Sequence, residues 1–150
     1  MRAVVQRVAK ASVTVEGNVT GAIDRGLLVL VGVAADDTTE DIAWLVGKIA
    51  GQKLFPDKSG RTNLSVVDIA GGVLVVSQFT LLASARKGTK PSWHRAAAPE
   101  VAIPLYEEFV RAMETAIGRP VAIGKFGAMM QVSLVNDGPV TLVLDSRLRE

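Results

Sequence analysis

Polar and apolar residues alternate over residues 2–8 (RAVVQRV) and again over 12–16 (SVTVE). Both runs are rich in β-branched side chains, so they predict two half-buried strands, with a turn at Gly17-Asn18 before Val19-Thr20. Residues 27–34 (LLVLVGVA) and 73–82 (VLVVSQFTLL) are almost continuously apolar, the pattern of strands covered on both faces. The period then changes. Ile42, Leu45, Val46 and Ile49 recur at helical spacing, and the acidic stretch Asp36–Asp41 ahead of them suits a helix N-terminus, with Thr38 and Asp41 placed as a capping box. A short strand near Lys53-Leu54-Phe55, a turn at Pro56-Asp57 and a polar segment to Asn63 follow. Pro99 suits the first turn of a second helix, whose stripe is Val101 or Ala102, Leu105, Phe109, Val110, Met113 and Ile117, stopped by Gly118. Strands are predicted at about 127–135 and 140–145, with a frayed C-terminus. Between them Asp137-Gly138 is a hairpin signal, yet Pro139 follows where a hairpin partner needs an N–H.

Seven or eight strands and two main helices, without strand–helix alternation, predict an α+β domain in which a mixed β-sheet curls into a barrel-like core. At 150 residues and 49% apolar content, the chain fits one domain, residues 1–150, with no repeat or linker. It holds no apolar run of about 18 residues and no leader-like segment, so no membrane partner is expected and the expected location is the cytoplasm.

Chemistry is narrowed by what is missing. The chain has no cysteine, which excludes disulfides and thiolate nucleophiles, and one histidine, His94, which excludes a multi-histidine metal centre within one chain. Neither metal nor cofactor is expected; there is no G-x-G-x-x-G or G-x-x-x-x-G-K-[ST] loop for a nucleotide. Net charge is only +2, so nucleic-acid contact has to come from a local patch.

One patch qualifies. The segment ASARKGTKPSWHRAAAPE, from Ala83, carries Arg86, Lys87, Lys90, His94 and Arg95 around Trp93, with no acid before Glu100. Such a loop suits phosphate contacts plus base stacking; equally, its charges can be merely solvated, although a loop this long without periodicity is unusual in a compact domain. Ser92 and His94 lie two residues apart, which does not make a catalytic triad. The second candidate is SQFTL, Ser77 to Leu81, at the end of an apolar strand and ahead of the basic loop. Ser77 and Thr80 either bond neighbouring backbone or belong to a site delivered by the strand. Thr80 is the candidate nucleophile, but no general base stands out to activate it.

Ser77-Gln78-Phe79-Thr80-Leu81 and Asn136-Asp137-Gly138-Pro139-Val140-Thr141 resemble the two signature motifs of the D-aminoacyl-tRNA deacylases. The resemblance runs along essentially the whole chain, through QRVAKASVTVEG (6–17), GLLVLVGV (26–33), GGVLVVSQFTL (71–81), KPSWHRAAAPE (90–100) and FGAMMQVSLVNDGPVT (126–141). It implies a homodimer that hydrolyses the ester between a D-amino acid and the 3′ end of tRNA, with glycine esters as possible substrates. It further implies that the Gly138-Pro139 peptide is cis and reaches into the partner's site, held by Arg7, with Met130 beside the substrate. Ser77, Gln78, Phe79 and Thr80 would face the scissile ester chiefly through backbone N–H groups, and Lys87, Lys90, Trp93, His94 and Arg95 would contact tRNA. Where family members often read Pro-Ser-Phe, this chain has Pro91-Ser92-Trp93, which keeps an aromatic. The implied mechanism needs few side chains, because the ribose 2′-OH already lies beside the carbonyl. Two rivals stand beside it: a binding module that holds RNA or a peptide without turnover, and a conventional hydrolase using Thr80 or Ser77 with His94.

Overall fold

In the computed structural model, which describes residues 1–150, the chain forms eight strands, two α-helices and one 3-10 turn. The strands are β1 (Arg2–Val15), β2 (Asn18–Ile23), β3 (Gly26–Gly32), β4 (Phe55–Pro56), β5 (Thr62–Leu64), β6 (Gly72–Ser77), β7 (Ala122–Ile123) and β8 (Gln131–Asp145); the helices are α1 (Thr39–Gly51) and α2 (Pro99–Ile117). The predicted strands at 2–8 and 12–16 are one. β1 pairs with β3 through Arg2–Val8 and with β2 through Ala11–Val15, while β8 lies along its other edge. Ala9 and Lys10 are exposed where it changes partner.

The sheet runs β2-β1-β3-β6-β7, with β3–β6 and β6–β7 parallel and the β1 pairings antiparallel. It curls until β2 comes against β7: a side chain on Gly21 would collide with the Ile123 carbonyl oxygen, so the absence of a Cβ permits the approach that nearly closes the barrel. The alternate residues of β3 and β6 serve two cores. Leu27, Val29, Val31, Val73 and Val75 face α1 and α2, whereas Leu28, Leu74 and Val76 join Val8, Val13 and Val15 inside the barrel. That double burial is why both segments read as unbroken apolar runs.

Both helices start and stop as their sequences direct. The Asp41 carboxylate accepts the Thr38 N–H at 2.8 Å, completing the capping box, and Ile42, Leu45, Val46 and Ile49 are buried. Helix α2 begins at Pro99 and ends at Gly118, whose φ of 69° is the left-handed conformation glycine adopts without strain. Its buried stripe is Ala102, Tyr106, Phe109, Met113 and Ile117; Val101 faces solvent.

Three further expectations are corrected. The second apolar run is not strand throughout: β6 ends at Ser77, opposite Val31, and Phe79–Leu82 turn into a 3-10 helix that returns Leu82 to the interior. The strands expected at 127–135 and 140–145 are a single strand, β8, and residues 127–130 precede it. No hairpin forms, because both halves of β8 pair with the same strand. Gln6 faces Thr141 and Val8 faces Asn136, so residues 137–140 bulge out opposite Arg7 alone.

The C-terminal residues, expected to fray, are docked. Ser146 is buried, Arg147 pairs with Asp36 and Asp37, and the Arg149 guanidinium lies over the Trp44 ring at 5.4 Å. Burial would raise the Asp145 carboxyl, but the Arg147 N–H and the Arg2 guanidinium outweigh it and hold the group below its ordinary 3.8. Asp41 follows the same pattern, burial being outweighed by the Ser146 hydroxyl and the Thr38 N–H. Carboxyls that titrate lower in the folded chain than in the unfolded one contribute stability that is complete above about pH 4 and lost as pH falls through their folded values. The Tm is therefore expected to fall below about pH 4, and Asp145→Asn to flatten part of that dependence in thermal scans.

Candidate active site

The site begins where β6 runs out of partner. Val31↔Ser77 is the last pair of the β3–β6 ladder, and the Gln78 N–H still reaches the Val31 carbonyl at 2.7 Å before the chain turns away. A 3-10 turn leaves its first N–H groups without intrahelical acceptors. Neither the Phe79 nor the Thr80 N–H donates among the turn, loop and cap bonds of the chain. The turn therefore presents main-chain donors at the strand end. The Gln78 side-chain amide donates to Thr80 Oγ1 and fixes that hydroxyl.

Ser77, Gln78 and Phe79 line a cleft of about 510 Å³, closed on another side by Phe126 and the following residues through Met130. Thr80 does not line it. Tyr106 and Phe126 contribute a tilted aromatic pair with centroids 5.7 Å apart. The Tyr106 hydroxyl donates to the Val75 carbonyl at 3.2 Å, and burial pushes it up to about 12, so it stays protonated at neutral pH. No Asp, Glu, His, Lys or Arg lines the cleft. A cleft of this composition holds a substrate by shape and backbone polarity and contains no side chain able to act as a general base near neutral pH.

The basic loop packs beside it. Ser84 and Ser92 exchange backbone hydrogen bonds of 2.7 and 3.0 Å, closing a small irregular loop around Arg86, Lys87 and Lys90, while the Ala97 N–H tethers the far end to the Val33 carbonyl. Trp93 meets the Phe79 ring edge-on, centroids 5.8 Å apart. Arg86, Lys87, Lys90 and Arg95 are exposed and none forms an ion pair. The structure thus joins the SQFTL segment and the cationic loop through one aromatic contact. Ser92 Oγ and His94 Nδ1 lie 2.8 Å apart, but both residues are exposed and outside the cleft, which leaves a serine–histidine hydrolase without its geometry.

Gly138, Pro139 and Arg7 are elsewhere. The Gly138–Pro139 peptide is cis and sits on the exposed bulge of β8. Arg7 Nε donates to the Asp137 carbonyl at 2.8 Å and pairs with the Asp137 carboxylate at 3.2 Å, while Nη1 donates to the Leu54 carbonyl. Asn136 Nδ2 closes the bulge from below, bonding the Arg7 carbonyl at 2.8 Å and the Val140 carbonyl at 3.1 Å. Across the sheet Arg7 is level with Leu27 and Val73, whereas Ser77 is level with Val31 and Ala3. Four residues along the strands and three strand spacings separate the bulge from Ser77, on the order of 20 Å measured along the sheet. The chain does not bring its bulge to its own cleft.

Of the residues singled out in the sequence, Ser77, Gln78, Phe79 and Met130 line one cleft, while Thr80 does not; Tyr106 and Phe126, which line it, and Asn136, which ties the bulge, were not singled out as site residues. Tyr106 is the only tyrosine and lies on the buried stripe of α2, which was its available signal. No group of three His, Asp or Glu residues is placed to hold a metal ion, and no helix is long and apolar enough to cross a membrane.

A nearly closed mixed barrel flanked by two helices, with a charge-free cleft at one strand end and a cationic loop beside it, defines a small enzyme-like α+β protein with an apolar pocket. The chain belongs to the D-Tyr-tRNA(Tyr) deacylase family, whose model matches residues 4–145. It is 65% identical to a D-aminoacyl-tRNA deacylase of Opitutus terrae and 55% identical to that of Akkermansia muciniphila, in each case over the full length of both chains. Among solved structures it resembles a chain described as c-Myc DNA Unwinding Element Binding Protein, with a TM-score of 0.91, 44% identity and coverage of 97% of this chain and 98% of that one. A probable eukaryotic D-amino acid tRNA deacylase shares the fold at a TM-score of 0.83 and 20% identity. The chain is accordingly a hydrolase of the ester bond of D-aminoacyl-tRNA.

Proposed function

We propose that the ester is cleaved by water under the direction of main-chain groups alone. The single observation that carries this reading is a cleft with no Asp, Glu, His, Lys or Arg in its lining, bordered by Phe79, the first residue of a 3-10 turn whose Phe79 and Thr80 N–H groups have no partner among the turn, loop and cap bonds. Water adds to the ester carbonyl carbon, the developing oxyanion is met by the Phe79 and Thr80 N–H groups, and the bond to the ribose 3′-oxygen breaks. The neighbouring 2′-OH relays the proton to the departing oxygen. Each such donor is worth roughly 3–4 kcal/mol in comparable sites. Met130 and Phe79 wall the substrate, and Lys87, Lys90, Trp93, His94 and Arg95 take the phosphates and a base of the tRNA end.

Handedness is read by a second copy. The Gly138-Pro139 bulge of one subunit enters the cleft of the other, held by Arg7, and its carbonyls leave no room for an L side chain, so D-aminoacyl and achiral glycyl esters are admitted and L-esters excluded. Two features support a homodimer. The bulge is too far from its own cleft to serve it, and β8 pairs with β1 alone, leaving its outer edge open with Val135 and Val143 exposed at 48% and 69%, an arrangement that single-subunit proteins avoid. All 150 residues then act as a single deacylase domain in the cytoplasm.

The test is a time course on matched D- and L-aminoacyl-tRNA, with glycyl-tRNA as a third arm. Hydrolysis of the D-ester and glycyl ester with the L-ester spared is expected; equal hydrolysis of D and L, or of neither, overturns the proofreading reading. Thr80→Ala is expected to retain most activity, within about tenfold, because its hydroxyl lies outside the cleft and only the backbone is used. Complete loss with the fold intact by circular dichroism would restore a threonine nucleophile.

A further inference from the structure

Asp145, Arg2 and Gly32 form one row across three adjacent strands: Arg2 is the register partner of both Asp145 on β8 and Gly32 on β3. The row lies one position beyond Val31↔Ser77, so it sits where β6 has given way to the 3-10 turn. Each member touches that turn or fixes a group that does. Arg2 Nε and Nη2 donate to Asp145 Oδ2 at 3.0 and 2.9 Å, and Nη1 donates to the Leu81 carbonyl at 2.8 Å. Asp145 is itself held, its Oδ1 accepting the Arg147 N–H at 3.0 Å. On Gly32 a Cβ would collide with the Leu82 side chain and lie 2.8 Å from the Gln78 carbonyl oxygen and 3.2 Å from the Leu81 Cβ. The glycine is the floor on which the turn rests.

We infer that Arg2 is a positioning residue for deacylation, seating the 3-10 turn from behind so that its free Phe79 and Thr80 N–H groups are held in a fixed place beside the cleft. This rests on the proposed role of those N–H groups. The Leu81 carbonyl is one of the acceptors that a short helix leaves free at its end. A guanidinium fixed by a carboxylate supplies its partner in a set direction, and Gly32 allows the turn to approach closely enough to use it. Without the brace the turn is still anchored at Gln78 and Leu82 but free to roll between them. A displacement of about 1 Å at a reacting group costs on the order of 100-fold in rate.

The experiment compares wild type, Arg2→Ala, Arg2→Lys and the isosteric Asp145→Asn in steady-state and single-turnover deacylation of D-tyrosyl-tRNA, with amide hydrogen exchange read at Phe79 and Thr80. Expected are a 10- to 100-fold lower kcat for Arg2→Ala at nearly unchanged KM, partial recovery in Arg2→Lys, a smaller loss in Asp145→Asn, and faster exchange confined to the turn. Unchanged kcat in Arg2→Ala, a rise in KM alone, or a loss explained by the fraction of unfolded protein overturns the inference while wild-type turnover stands. An inert wild type would remove both this inference and the functional reading beneath it. Should Arg2→Ala fail to fold, Asp145→Asn and Arg2→Lys decide on the same kcat and KM criteria.

Discussion

Arg7→Ala is expected to lower single-turnover deacylation of D-aminoacyl-tRNA by about 100-fold while leaving the fold in place. Arg7 is the only residue facing the four-residue bulge from β1, and its guanidinium spans from the Leu54 carbonyl to the Asp137 carbonyl and carboxylate. It is 14% exposed and Asp137 is 47% exposed, so solvent screens the charge pair and the directional hydrogen bonds carry most of the restraint. Once they are removed, Asn136 still ties the base of the bulge to the Arg7 and Val140 carbonyls, but nothing anchors its crest at Asp137. The bulge, which in the proposed mechanism has to fit a partner's cleft closely, then samples many positions. The KM is expected to change little, since in the proposed mechanism the basic loop and not the bulge holds the tRNA. Selectivity against L-aminoacyl-tRNA is expected to weaken in the same variant. A normal rate and intact discrimination in Arg7→Ala, measured on folded dimer, would detach the bulge from the reaction.

The largest expected loss of stability follows Asp37→Ala, about 3–5 kcal/mol, or a Tm lower by roughly 6–20 °C. The α-ammonium of Met1 and the Asp37 carboxylate are both wholly buried and pair at 2.5 Å. The same carboxylate accepts the Ala34 N–H at 2.6 Å and an Arg147 N–H at 3.0 Å, while the ammonium also donates to Ser146 Oγ at 2.8 Å. Removing the acid strands a buried cation and frees the docked C-terminal segment together. The comparison is Asp36→Ala, one residue earlier and 74% exposed in its pair with Arg147, for which a far smaller change is expected because solvent screens the pair. Urea or thermal unfolding of the two variants measures the difference. Equal effects would mean that the buried network contributes no more than a surface pair.

Local rules were sufficient wherever the outcome depended on local order. The unbroken apolar runs of β3 and β6, the stripe and capping box of α1, and the Pro99 and Gly118 boundaries of α2 were legible because burial period and backbone freedom are properties of a few adjacent residues. The misreadings share another cause. The run from Val73 to Leu82 contains no breaker, and β6 stops only because β3 has ended at Gly32 beside it. The Asp137-Gly138 signal is a genuine hairpin pattern, overridden because both flanking halves find the same partner, β1. The C-terminus looked frayed because the groups that bind it, Asp36, Asp37 and Trp44, are over a hundred residues away.

By itself, then, the sequence determined most of the element types, the two-sided burial of β3 and β6 and the two motifs that mark the deacylase family, all of which are written in short windows of side-chain chemistry. Only the tertiary structure decided that Ser77, Gln78 and Phe79 border a cleft with no Asp, Glu, His, Lys or Arg in its lining, that Phe79 meets Trp93, and that Arg7 and Arg2 on one strand hold two different backbone segments. Those facts depend on which main-chain groups remain unpaired once the sheet has curled. Every residue but proline carries the same N–H and C=O, and a pattern of side chains does not record which of them the fold leaves free.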